Sequence, residues 1–195
     1  MPSVKSVPKR SEVPPSDCWD LSSLFADDSA WERAFNKWEK RIKGYVRFQG
    51  TLGESAEKLA ACLKFDLDVD RQGERVGAYA MLRSSEDKTN SLCQRMEGRF
   101  MNAASRASQA ASFIRPEILG IPAARMKRFL ADKALASYRL LLERVLRYKP
   151  HTLGEREERL LAMQTEMSDT AHHVFGQLND ADLKFGPVKD DRGQL

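Results

Sequence analysis

The chain has 195 residues, 42% hydrophobic and 31% charged, a balance that suits a charge-rich globular core and excludes a wholly disordered chain. Its formal net charge is +4, with basic residues interleaved among acidic ones, so the surface reads as solvated helix and not as a nucleic-acid patch. No apolar run approaches bilayer length, and the basic N-terminus lacks the apolar segment of a secretory signal, so a cytoplasmic protein with no membrane partner is expected.

Residues 1–16 carry Pro2, Pro8, Pro14 and Pro15 among polar residues, and are expected to form an extended, flexible arm. Trp19, Leu21, Leu24 and Phe25 follow as an apolar cluster that would pin this arm to the body. Burying one Trp ring there would contribute about 2–3 kcal/mol. Cys18, Cys62 and Cys93 are odd in number and widely spaced, a pattern of reduced thiols.

A first helix is expected from Ser29, with Ser29 and Glu32 spaced as a capping box. Trp31, Phe35, Trp38 and Ile42 recur at helical spacing and read as a core face in preference to an aromatic ligand box. Gly50 and Gly53 bracket the next turn. A second long helix is predicted over about 55–84, with Leu59, Cys62, Leu63, Val69, Val76 and Ala80 on its apolar side. Gly73 and Gly77 are poor helix residues, and their i,i+4 placement on that side predicts close approach of a neighbouring helix, or else a break near Gly73.

Asn90 is placed to cap a third helix whose stripe runs Leu92, Met96, Phe100, Ala103, Ala107, Ala111 and Ile114. Its alanines suit tight helix packing. Pro116 and Pro122 each open a short helix, the second continuing through Met126, Phe129 and Leu130. The run Tyr138 to Leu146 is amphipathic and Pro150 stops it; a last helix is expected over about 170–179. Leu183 to Lys189 reads as a strand and Asp190 to Gly193 as a turn. The expected fold is all-α, an antiparallel bundle of long and short helices with an incomplete β-hairpin at the C-terminus. The corresponding division is a flexible arm at 1–16, a helical domain at 17–182 and the start of a hairpin at 183–195.

No chemistry is legible in the pattern itself. His151 and Glu155 are spaced as metal ligands, but Thr152 and Glu155 form a capping box that puts His151 ahead of the helix. His172 and His173 are adjacent and diverge by about 100° on a helix. Asp68/Asp70 and Asp180/Asp182 are carboxylate pairs of a kind common on solvated surfaces. There is no H-E-x-x-H, G-x-S-x-G or phosphate-loop motif. No catalytic, cofactor-binding or metal-ligating residue is therefore assigned.

The residues nevertheless resemble a family. Arg10, Pro14, Trp19-Asp20-Leu21, Leu24-Phe25 and Trp31 match its opening, and Tyr79, Leu82, Asp87, Thr89-Asn90 and Pro116 to Leu119 its interior. Tyr138-Arg139, Lys149 to Leu153, Glu157-Glu158, Leu160 to Ala162 and Leu178 to Phe185 match best. Together they make the chain similar to the N-terminal region of oligoendopeptidase F, in the thimet-oligopeptidase-like zinc metallopeptidases. The resemblance implies a helical wall of a deep channel for oligopeptides, facing a catalytic half that carries zinc on H-E-x-x-H and a further Glu. None of those zinc residues maps onto this chain, so it is expected to hold no cofactor and to be inactive alone. Two readings stay open: a non-catalytic domain partnered by a missing catalytic half or an oligopeptide, or a free-standing helical module that binds peptides or proteins. Exposed apolar surface and self-association through it would favour the first.

Overall fold

The computed structural model describes residues 10–87 and 90–151, together with Thr170, Ala171, Val174, Phe175 and Leu178. The chain divides into a unit of residues 8–149 and a second of residues 1–7 and 150–195. In the second unit Val174, Phe175 and Leu178 are exposed on helical backbone. The expected capping box at Thr152 and Glu155, the adjacent histidines and the hairpin at 183–195 lie outside the described residues.

The first unit is built from α1 (Asp28–Ile42), α2 (Ala56–Glu86), α3 (Ser91–Ala111), α4 (Ile114–Gly120), α5 (Ala123–Ala131) and α6 (Arg139–Arg147). Short 3-10 turns occupy Arg10–Glu12, Pro15–Asp17, Lys43–Arg47 and Lys133–Tyr138. No strand occurs among the described residues, and the all-α reading holds there. The described part of the N-terminal segment is therefore in turns where an extended arm was expected.

Helix α2, at 31 residues, is the spine, and both α1 and α3 lie along it. The aromatic face of α1 meets it as a core: Trp31, Phe35, Trp38 and Ile42 are all buried. Each buried indole finds a carbonyl on α2, since an unpaired N–H in the core would cost about 1–3 kcal/mol. Trp31 donates to Val76 O at 2.8 Å and Trp38 to Val69 O at 2.9 Å. Gly73 makes the second bond possible, because a Cβ there would stand 3.0 Å from the Trp38 ring. Gly77 likewise admits Phe100 of α3, whose ring would come within 2.3 Å of an added Cβ. The two glycines thus mark close approach, and α2 continues through them unbroken.

Three expectations are corrected. The cap of α1 is Asp27, whose carboxylate accepts Ala30 N–H at 2.7 Å, and not Ser29. Asp27 is two residues earlier than the Ser29 cap read from the sequence, and it leaves Glu32 to reach across to Arg99. Trp19 is 75% exposed, so it does not pin the N-terminal segment; Phe25 is buried, with Leu21 and Leu24 packed beside it. Leu92 is 68% exposed at the start of α3, and the buried stripe begins at Cys93 and Met96. The cap of α3 is as expected: Asn90 accepts from Leu92 N and Cys93 N.

Helices α4 and α5 fold back onto the turn that joins α1 to α2. Gly50, at φ +80°, allows that turn. The Glu117 carboxylate accepts from Gly50 N at 2.6 Å and Leu52 N at 3.3 Å, and Arg125 donates to Gly53 O at 2.9 Å. Lys149 in turn donates to Leu119 O at 2.6 Å. This ties α1, α2, α4 and α5 together through one exposed corner.

Candidate functional site

Two polar clusters and one groove stand out in the first unit. The first cluster joins α1 to the end of α2. Asp28 accepts from Tyr79 Oη at 2.7 Å and from Arg83 at 3.2 Å, and Arg83 donates onward to Glu86 at 2.7 Å. Arg10 completes the chain, 3.5 Å from Glu86. Partial burial works against the Asp28 charge, but the bonds from Arg83 and Tyr79 outweigh it and hold the carboxyl below its ordinary range. Burial, then the bond to Asp28, pushes the Tyr79 hydroxyl up to about 12. Every group here has a partner, so the cluster is a structural clamp.

The second cluster is a two-pronged pair: Arg99 donates to the Glu32 oxygens at 2.6 and 2.8 Å. Its guanidinium also lies over the Phe35 ring at 4.6 Å. The Arg99 bond chiefly keeps Glu32 below its ordinary value. This pair, too, is closed on itself and fastens α3 to α1.

The groove differs from both clusters. It is a cleft of about 620 Å³ between α2 and α3, within the size range of small-ligand and side-chain pockets. Trp38, Val69, Gly73 and Ile114 form its floor, and all four are buried. On the α3 side Ala104, Ala107 and Ala111 line it, and their missing bulk keeps the cleft open beyond the Phe100–Gly77 contact. On the α2 side stand Asp66, Asp70 and Glu74, at successive i,i+4 positions and so along one face. Asp66 accepts from Tyr45 Oη at 2.6 Å. Burial, with Asp66 and Glu74 as like-charged neighbours, raises the Asp70 carboxyl above its ordinary value.

Of the residues weighed as metal ligands, His151 is described, and Glu155, His172 and His173 lie outside the described residues. His151 is exposed, and no group of three His, Cys, Asp or Glu side chains is placed to hold a metal among the described residues. Catalytic zinc requires three protein ligands around an open position, so the described residues do not fit that ion. Asp68 pairs with Arg41 at 3.3 Å and Lys64 at 3.4 Å, which makes it a surface ion pair rather than half of an acid–base couple with Asp70. Cys18, Cys62 and Cys93 are free thiols; burial pushes Cys62 up to about 12, so it is not a nucleophile at neutral pH. No helix among the described residues is long and apolar enough to cross a membrane. The groove was not legible from the sequence. The 66, 70, 74 spacing was its available signal, hidden because Asp68 competes for the same pattern.

The described part of the first unit is thus all-helical, with closed polar clamps and an open cleft between α2 and α3. A family model described as Oligopeptidase F matches residues 117–185. Oligopeptidase PepF of Bacillus subtilis is 33% identical over 188 residues, 96% of this chain and 28% of that protein. Group B oligopeptidase PepB of Streptococcus agalactiae is 30% identical over 95% of this chain and 31% of that protein. The crystal structure of oligoendopeptidase-F from Enterococcus faecium has a TM-score of 0.67 at 27% identity, covering 86% of this chain and 33% of that one. The chain belongs with the N-terminal region of the oligoendopeptidase F family, and it spans about a third of the length of these relatives.

Proposed function

We propose that this chain is the non-catalytic wall of an oligopeptide channel, acting together with a zinc-bearing catalytic region of the same family. The observation that carries the reading is the similarity along 96% of the chain to less than a third of an oligopeptidase. The architecture supports it physically. Helices α1, α2 and α3 are fastened by buried indole bonds and closed ion pairs, which suits a rigid surface against which a mobile peptide is held. The hydrolytic step would belong to the partner region, where a bound zinc would supply the activation of water.

The reading is tested by complementation. The full chain is mixed with a Bacillus subtilis PepF variant lacking the residues that match it, and cleavage of an internally quenched oligopeptide is followed. The expected result is that neither piece cleaves alone, that the mixture does, and that the chain retains no stoichiometric zinc after dialysis. Cleavage by the chain alone, or one tightly held zinc per chain, would overturn it.

A further inference from the structure

We propose that the α2–α3 groove binds a lysine side chain of an oligopeptide, with its stem on the alanine wall and its ammonium among Asp66, Asp70 and Glu74. The proposal rests on the oligopeptide reading above and adds which peptides are favoured.

The floor and the rim make two different demands on an occupant, and a lysine meets both. Ala104, Ala107 and Ala111 offer a shallow apolar wall, and Trp38, Val69 and Ile114 close the floor beneath it. An aliphatic chain gains by covering that surface, whereas a wholly polar ligand would have to be desolvated against it. The rim carries three carboxylates that form no ion pair among the described residues. Asp66 is bonded by the neutral Tyr45 hydroxyl, and the groups that act on Asp70 are themselves acidic. Among the described residues Arg115 is the one cation lining the cleft, and its guanidinium lies over the Tyr148 ring, 5.3 Å away. The neighbouring cations Arg41 and Lys64 are taken by Asp68.

The groove is thus a locally acidic site on a chain whose net charge is +4. Attraction of a cation here is short-ranged and specific to the cleft, since the protein as a whole repels it. The three carboxylates follow one another at a rise of about 6 Å along the helix. A compact ammonium on a flexible stem can settle between neighbours. The stem lies on apolar surface while the charged head reaches the polar rim, the usual division of a lysine side chain.

The test titrates the N-acetylated, C-amidated peptide Ala-Ala-Lys-Ala-Ala into the full chain and follows the methyl resonances of Ala104, Ala107 and Ala111. Its norleucine counterpart keeps the stem and removes the charge. Saturable shifts at those three methyls are expected with the lysine peptide. Binding should weaken roughly tenfold or more with norleucine or in the D70N/E74Q variant, the scale of losing charge-assisted hydrogen bonds. Asp70 and Glu74 lie toward the exposed rim, so this variant should keep the parent's circular dichroism and melt no earlier than the parent, since it removes two like charges from the α2 face. Equal binding of the norleucine peptide, or unchanged affinity in the variant, would overturn the proposal. Saturable shifts confined to other surfaces would sink the groove assignment and leave the oligopeptide reading standing. Failed complementation, with lysine binding intact, would sink the channel reading alone.

Discussion

Single residues decide how the elements begin and how they are fastened. The start of α1 is an instance: Asp27 supplies the capping oxygen, and Ser29 is already inside the first turn. Replacing Asp27 with Ala should destabilise the protein by about 1 kcal/mol, as loss of an N-cap does. Ser29→Ala should change little. Urea midpoints of the two variants check the assignment, and the reverse order would restore the capping box read from the sequence. Glu117 makes the same point in the other direction. It lies in the Pro116 to Leu119 run that carries part of the family resemblance, and its work is to accept two backbone N–H groups from the distant 50–52 turn. A motif quoted for its likeness to a peptidase is, in the fold, a latch between helices.

At the scale of the element, α2 and α3 are shaped by where side chains are absent. Gly77 sits beneath the Phe100 ring, so Gly77→Ala forces that ring out of its place against Trp38, to which it is stacked at 5.6 Å. A loss of about 1–3 kcal/mol is expected, in the range of overpacked cores. Gly98 is in the middle of α3 with open space where a Cβ would stand. Gly98→Ala should therefore raise stability by about 0.5–1 kcal/mol, through helix propensity and a less free unfolded chain. Thermal melts of the pair give opposite signs if α2 and α3 pack as described; two shifts of the same sign would contradict that packing. The alanine stripe of α3 shows why spacing is not enough. Ala103 is fully buried, as tight packing requires, while Ala104, Ala107 and Ala111 are only half-buried along an open cleft.

For the molecule as a whole, acid should act in two stages. Asp70 has a folded value raised above its ordinary 3.8, so folding favours its protonation, and the repulsion among Asp66, Asp70 and Glu74 is relieved as pH falls toward that range. Asp28 and Glu32 are the opposite case. Their folded values lie below the ordinary 3.8 and 4.5, so the stability they contribute is complete above those values and is lost as pH falls through the lowered ones. Both side chains are well exposed, and solvent screening keeps each contribution small. Urea midpoints measured from neutral pH downward should rise slightly and then fall. In Asp70→Asn the rise should be reduced and the fall retained; an unchanged rise would show that the α2 carboxylates are not its source.

The sequence by itself determined the helical periodicity, the buried α1 aromatics, the Asn90 cap and the family resemblance, and it narrowed Gly73 and Gly77 to a close approach or a break. These rest on local spacing or on residue types whose physics allows few alternatives. Only the tertiary structure decided that Trp19 faces solvent, that Glu32 pairs with Arg99, that Glu117 latches a turn 65 residues away, and that three carboxylates border a cleft. A carboxylate on a helix face looks the same in sequence whether water, an arginine or an empty groove stands opposite. What faces it is set by how the helices cross, and that information lies in long-range packing.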